Sequence, residues 1–433
     1  MLPGTRQVHP HSPQEISQHL SRRKRTAGLD LGTSRVTAII GEVDDYGQVQ
    51  LLGVGEAPAE GLRKGVVVNI DKTVVAIQAA TVAAERMAGL RIESAVCTLG
   101  GPHLASQNSR GVVAVSRDHG FEVREEDVER VIEAARAVSV PSDRQVIHVL
   151  PRSFTVDGQD GVRDAVGMTG QRLEVETHIV TAAQTSLHNV VKCVHQSGFD
   201  VEEVVAHGLA SGEGVLTANE VDLGVCLVDI GAETTDVVLY AEGSVLRMAV
   251  LPVGGNHVTN DIAIGLRTTP ADAETLKLNY GHTLPDVIPP EERIEVRQVG
   301  GDRIQAMPRR FLAEIIGPRM REIFQMAREE MRKSSYDGRL PAGVVVTGGA
   351  ARLMGTTDAA QAVFDSAVRL GLPCGVGGLA DRAGGPSFAA AVGLVKWGAR
   401  SAPVAVLAGV RGAHSPAIGT AYQRTVRWLR DFF

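Results

Sequence analysis

Aromatic residues are scarce in this 433-residue chain: two tryptophans, five tyrosines and nine phenylalanines, 4% of the total. Cysteine is rarer still, and Cys97, Cys193, Cys226 and Cys374 stand far apart, with no C-x-x-C pair and no histidine at zinc spacing. That excludes a disulfide framework or a zinc module and points to a reduced, cytoplasmic protein. No stretch of about 18 apolar residues occurs, so no transmembrane helix is expected. The first residues carry His9, His11, His19 and the run Arg22 to Arg25 without an apolar core behind them. They read as a disordered basic extension over residues 1–25, not a signal peptide. There is no excess of positive charge either: the net charge is −6 and the pI about 6.1. Nucleic acid is not an expected partner, and any basic function must be local.

What the chain does have is glycine, 48 residues of it, in a 44% apolar background. Its length calls for two or more domains. From Thr26 two Val/Ile/Leu-rich strand patterns follow each other, AGLDLGTSRVTAIIGEV and QVQLLGVGEA, and then KTVVAIQAATVAAERMAGL has helical spacing and a closing Gly89. The same opening returns 199 residues later as VCLVDIGAETTDVVLY, which predicts an internal duplication of an α/β core.

Chemistry is concentrated in three loops. Asp30-Leu31-Gly32-Thr33-Ser34 and Asp229-Ile230-Gly231-Ala232-Glu233-Thr234 each end a strand pattern at a glycine turn. Such turns bring backbone N–H groups close to phosphate oxygens, and a hydroxyl can assist. A carboxylate at the strand end suits hydrated Mg²⁺, which asks for one or two carboxylates and several waters. The third loop, Val346 to Ala351, leaves a buried strand at Gly348-Gly349-Ala350 and opens a helix, a geometry suited to an adenosine. One Asp-x-Gly turn alone is usually only a turn; the ordered set of three is specific.

On GLDLGTS, VDIGAETTD and VTGGAA the chain resembles the actin-like, sugar-kinase and 70-kDa heat-shock ATPase superfamily. Within it, the segments GVVVNI, TLGGPHLASQNSRG, HVLPRSFTVDG, HGLASG, GGNHVTNDIA and LAEIIGPR resemble the FtsA family of bacterial cell-division proteins, over roughly residues 26–397 and the tail. The resemblance implies an actin-like α/β fold: duplicated ribonuclease-H-like domains around a nucleotide cleft, with an inserted α+β subdomain. The expected first core comprises residues 26–91 and 177–209, closed by 384–397; the insertion is 92–176. The second core is 210–260 and 308–383, and a small subdomain fills 261–307. ATP and Mg²⁺ are the implied cofactors. Their phosphates would lie on Asp30, Gly32, Thr33, Ser34, Asp229, Gly231, Ala232, Glu233 and Thr234, with Mg²⁺ held through water by Asp30 and Asp229. The adenosine would lie on Gly254, Gly255, Gly348, Gly349 and Ala350, with Arg319 and Glu314 near the adenine or else paired on a helix surface.

Implied partners are the C-terminal peptide of the tubulin-like GTPase FtsZ, with Lys277, Arg309 and Arg310 as basic candidates, further division proteins at the insertion, and other copies of this chain in a head-to-tail polymer. Two departures from the family pattern stand out. Ala232-Glu233 replaces glycines beside the expected phosphates, and Glu233 either adds charge there or points to solvent. His207 stands where hydrolytic relatives carry a carboxylate, so weak or negligible ATPase activity is expected, with no catalytic residue assigned. Other actin-like scaffolds, of pilus-assembly or cell-shape type, and a small-molecule kinase are the competing readings.

Residues 398–417 read as a flexible linker, spanning roughly 25 Å. On a helical projection of 418–433 the residues Ile418, Tyr422, Val426, Trp428, Leu429, Phe432 and Phe433 share one arc, and Arg424, Arg427 and Arg430 fall on the other. An interfacial helix on anionic lipid is the expectation, with the protein on the cytoplasmic side of the inner membrane at the division septum.

Overall fold

The structure, a computed structural model, describes residues 24–44, 46–117, 120–299, 304–334 and 340–400. Almost all of the expected N-terminal extension, nearly all of the linker and the whole of the 418–433 helix lie outside the described residues.

The chain opens with an antiparallel meander of β1 (Arg25–Leu31), β2 (Arg35–Val43) and β3 (Val49–Pro58). Both faces of β1 and β2 are buried, as expected of strands covered by helices on each side. A two-residue ladder, Leu62–Arg63 against Val66–Val67, precedes α1 (Ile70–Ala88). Asn69 caps α1 by accepting from the Lys72 N–H, and Gly89 ends it at φ 66°. Next, β4 (Ser94–Leu99) lies parallel to β1, with Gly28 opposite Val96.

The insertion holds β5 (Ala105–Ala114), α2 (Glu125–Arg136), β6 (Arg144–Val156), β7 (Gln159–Val162) and β8 (Arg172–Ala183). Its sheet runs β5-β8-β6-β7, and α2 covers one face with Val128, Val131 and Ile132 against Phe154, Leu173 and Val175. The expected boundaries of 92–176 therefore shift. SAVCTLGG belongs to the first core because its strand is buried on both faces and paired to β1, and β8 extends to Ala183.

The first core resumes with α3 (Gln184–Gln196), β9 (Asp200–Ala206), α4 (His207–Val215) and α5 (Ala218–Leu223). A second meander follows: β10 (Val225–Ile230), β11 (Thr235–Ala241) and β12 (Ser244–Leu251). The small subdomain supplies α6 (Gly255–Leu266), α7 (Pro270–Tyr280), β13 (Arg293–Arg297) and β14 (Ile304–Pro308). Then come α8 (Arg309–Arg332), β15 (Val344–Thr347), α9 (Thr356–Phe364), β16 (Val368–Leu370), β17 (Val376–Gly378) and α10 (Ala389–Arg400).

The first sheet is ordered β9-β4-β1-β2-β3-β17 and the second β16-β15-β10-β11-β12. Without β17 the two orders are the same, each a meander flanked by two parallel strands, which is the duplication expected from the repeated turn. β17 departs from the expected boundary of the second core at 383, because it pairs with β3 across the molecule. From there α10 packs on β1 and α4 and closes the first lobe.

Candidate functional site

The two meander turns face each other across a cleft of about 540 Å³. Register places them alike: Asp30 is opposite Thr37 in β1–β2, and Asp229 is opposite Asp236 in β10–β11. Gly32 has no room for a side chain, since a Cβ would lie 2.8 Å from the Arg35 carbonyl. The third loop approaches even more closely. Gly348, at φ 90°, would place a Cβ 2.2 Å from the Asp229 carboxylate.

Both aspartates are buried and oriented. The Thr98 hydroxyl donates to Asp30 at 3.0 Å while accepting from the Leu31 N–H at 2.8 Å. The Ser211 hydroxyl donates to Asp229. His207, at the start of α4, lies between the lobes, 3.1 Å from Asp236, 3.6 Å from Asp30 and 3.7 Å from Asp229. Burial works against a charge on its ring, but Asp229, the hydrogen bond the ring donates to Asp236, and Asp30 together outweigh burial and lift it to about 10. Burial raises the Asp229 carboxyl to about 6, with His207 pulling the other way.

Of the residues expected at the phosphates, Asp30, Gly32, Thr33, Ser34, Asp229, Gly231, Ala232 and Thr234 line the cleft together. Glu233 does not. Its carboxylate accepts the Lys64 N–H of the opposite lobe at 2.6 Å, in a bond open to solvent. Gly255, Gly348, Gly349 and Ala350 also line the cleft. Gly254 sits behind it, bracing the second turn, where a Cβ would lie 2.6 Å from the Gly231 carbonyl.

Three expectations need correction. Arg319 and Glu314 do not line the cleft: Arg319 pairs with Asp261 on α6 at 2.6 Å, and Glu314 lies 3.5 Å from Arg310. Lys277 is no surface cation for a peptide. It is 6% exposed and lines the cleft, its ammonium donating to the Gly255 carbonyl at 3.1 Å and to Thr259 at 2.8 Å, with Glu274 at 2.7 Å. Arg309 is mostly covered, held by Glu292 and the Tyr280 carbonyl, whereas Arg310 stays half exposed beside Asp286.

The cleft wall formed by Glu274, Lys277, Leu278 and Asn279 of α7 was missed in the sequence, as were Arg35 and Arg352. The available signal was the Glu274/Lys277 pair at i,i+3 on a predicted helix, which reads equally well as a surface pair.

A family model described as "Cell division protein FtsA" matches residues 226–393, and one described as "SHS2 domain inserted in FTSA" matches 101–181. A Pseudomonas aeruginosa protein called cell division protein FtsA is 41% identical over 413 residues, covering 95% of this chain and 98% of its own length. The chain belongs to the FtsA family of cell-division proteins. FtsA of Escherichia coli is 38% identical over 418 residues, 95% of this chain and 99% of that protein.

Among solved structures, a PilM-PilN type IV pilus biogenesis complex aligns at TM-score 0.62 and 19% identity, over 88% of this chain and all of that one. MreB5 of Spiroplasma citri bound to ADP aligns at TM-score 0.52 and 12% identity, over 86% of this chain and 94% of that one. These likenesses give the fold, which is actin-like with the inserted SHS2 domain. The matched insertion begins at residue 101, in agreement with β4 belonging to the first core.

The donor set fits the cofactors this fold implies. Mg²⁺ retains most of its waters and needs few carboxylates, which Asp30 and Asp229 would supply. Gly32 and Gly231 line the space between the two aspartates without side chains, which leaves the room that a polyphosphate requires. Among the described residues no helix is long and apolar enough to cross a membrane.

Proposed function

We propose that this FtsA-family protein binds ATP with Mg²⁺ in the cleft and links FtsZ polymers to the cytoplasmic face of the inner membrane at the division septum. The observation that carries the nucleotide reading is the pair of opposed turns with buried Asp30 and Asp229 facing one another. The phosphates would lie between the turns, and the adenosine against Gly348–Ala350 and the α7 wall. When bound, Mg²⁺ supplies neutralising charge for the polyphosphate. In this reading Lys277 and Glu274, which line the cleft, would hold polar groups of the sugar or base.

Turnover is slow or absent in this reading. His207 stands among Asp30, Asp229 and Asp236, and with its ring lifted to about 10 it is a cation at neutral pH. An imidazolium has no lone pair to accept a proton from water, so it positions the aspartates and does not act as a base.

Tethering rests on the 418–433 segment, whose apolar arc and three arginines suit an anionic interface. The FtsZ peptide is assigned to the 261–307 subdomain, with the accessible Arg310 at its border as the remaining basic candidate. Other division proteins and neighbouring copies are assigned to the insertion. Pelleting with anionic liposomes tests the tether: the full chain sediments, and Trp428→Glu stays in the supernatant while still binding ATP. Sedimentation of the Trp428→Glu variant equal to that of the parent would overturn it.

A further inference from the structure

The ladder between β3 and α1 is a two-residue hairpin. Leu62 pairs with Val67 and Arg63 with Val66, and the two loop residues, Lys64 and Gly65, have φ of 50° and 73°. Two positive φ values in succession mark the turn type that matches strand twist. In such a loop the two central N–H groups have no partner in the ladder. Here each is taken by a side chain. Gly65 donates to the Thr33 hydroxyl of its own lobe at 3.1 Å, and Lys64 donates to the Glu233 carboxylate of the other lobe at 2.6 Å.

Both ends of the second bond are rigid. A Cβ on Gly65 would lie 2.7 Å from the backbone of Gly100 and Gly101, so the hairpin tip is pressed onto the first lobe. The Glu233 turn is closed by Gly231 N–H to Thr234 carbonyl at 2.9 Å and held by Asn256 N–H to Ala232 carbonyl at 2.7 Å. The flexible element between them is the Glu233 side chain.

We infer that Glu233 is an interlobe latch: its carboxylate holds the hairpin tip of the first lobe across the phosphate end of the cleft, restrains lobe opening and slows nucleotide release. It is a positioning residue that acts through lobe separation. The effect on release rests on the nucleotide reading above; the restraint on opening does not. A charged acceptor bonds more strongly than an amide oxygen, so a graded series is expected, with Glu233→Gln intermediate and Glu233→Ala complete.

The test uses the full chain with spin labels at Val68→Cys and Val287→Cys, exposed positions on opposite lobes, in a Cys374→Ser background. Pulsed distance measurements without nucleotide should show a longer and broader distribution in Glu233→Ala than in the parent, with Glu233→Gln between them. A fluorescent ATP analogue with Mg²⁺ should leave Glu233→Ala roughly tenfold faster and Glu233→Gln roughly threefold faster. Distance distributions unchanged in both variants would overturn the latch, and altered distances with unchanged release would overturn its effect on the nucleotide. A parent that binds no analogue would refute the nucleotide reading, and the distances would still decide the latch.

Discussion

The first and second lobes carry the same turn on the same meander, yet they use it differently. In the first, Gly32-Thr33-Ser34 is held within its own lobe, Thr33 bracing the hairpin at Gly65 and Asp30 braced by Thr98. In the second, Gly231-Ala232-Glu233-Thr234 reaches outward: Glu233 crosses to Lys64, and Asp229 meets Ser211, His207 and the close-packed Gly348. The repeated meander gives both turns the same place in their sheets, and the residues in which they differ make one half a self-contained support and the other the half that communicates across the cleft.

The largest test of this asymmetry is to neutralise each aspartate. Asp229→Asn should weaken Mg²⁺–ATP binding about a hundredfold and Asp30→Asn about tenfold, because Asp229 is the more deeply buried of the two, 2% exposed against 7%, and weighs more heavily on the charge of His207. Calorimetric titration of both variants checks this, and equal losses would erase the distinction. Next is the third loop. Gly348→Val should cost roughly 3 kcal/mol of stability through its φ and its contact with Asp229, whereas Gly349→Ala, which opens on free space, should stay within about 0.5 kcal/mol. Thermal or denaturant unfolding reads both.

The cleft wall gives a third contrast. Lys277→Met should weaken ATP binding about tenfold, as expected for loss of a charged hydrogen-bonding group, while Arg319→Ala should leave affinity unchanged, since its partners are Asp261 and Glu322. A fourth contrast is in pH. His207 is raised from 6.5 to about 10, so its contribution to stability is complete below about pH 6.5 and is lost as pH rises through about 10. The melting-temperature advantage of the parent over His207→Gln should therefore shrink steadily between pH 7 and pH 10. The raised Asp229 titrates below that window.

Much of this asymmetry can be traced to what a linear pattern carries. The paired turns and Gly348-Gly349 were legible because strand periodicity ends at glycine in all three places, and local residues dictate that geometry. Glu233 was recognised as unusual, but not its partner, since Lys64 lies 169 residues away and contributes a backbone N–H, which has no residue signature. Lys277 looked like an ordinary surface cation on α7; its burial depends on how that helix leans on the second turn through Gly255 and Thr259. Arg319 pairs with an aspartate 58 residues distant, and β17 is a three-residue strand too short for any period to reveal. β4 was assigned to the insertion because its sequence reads as a strand wherever it is placed; only its pairing with β1 gives its lobe.

The central claim is that both lobes close on one nucleotide. Hydrogen–deuterium exchange of the full chain, with and without Mg²⁺–ATP, tests it directly. Backbone amides in residues 30–35, 231–236 and 346–351 should gain protection together at the same ATP concentration. Protection confined to one lobe, or none in any of the three loops at saturating ATP, would contradict it.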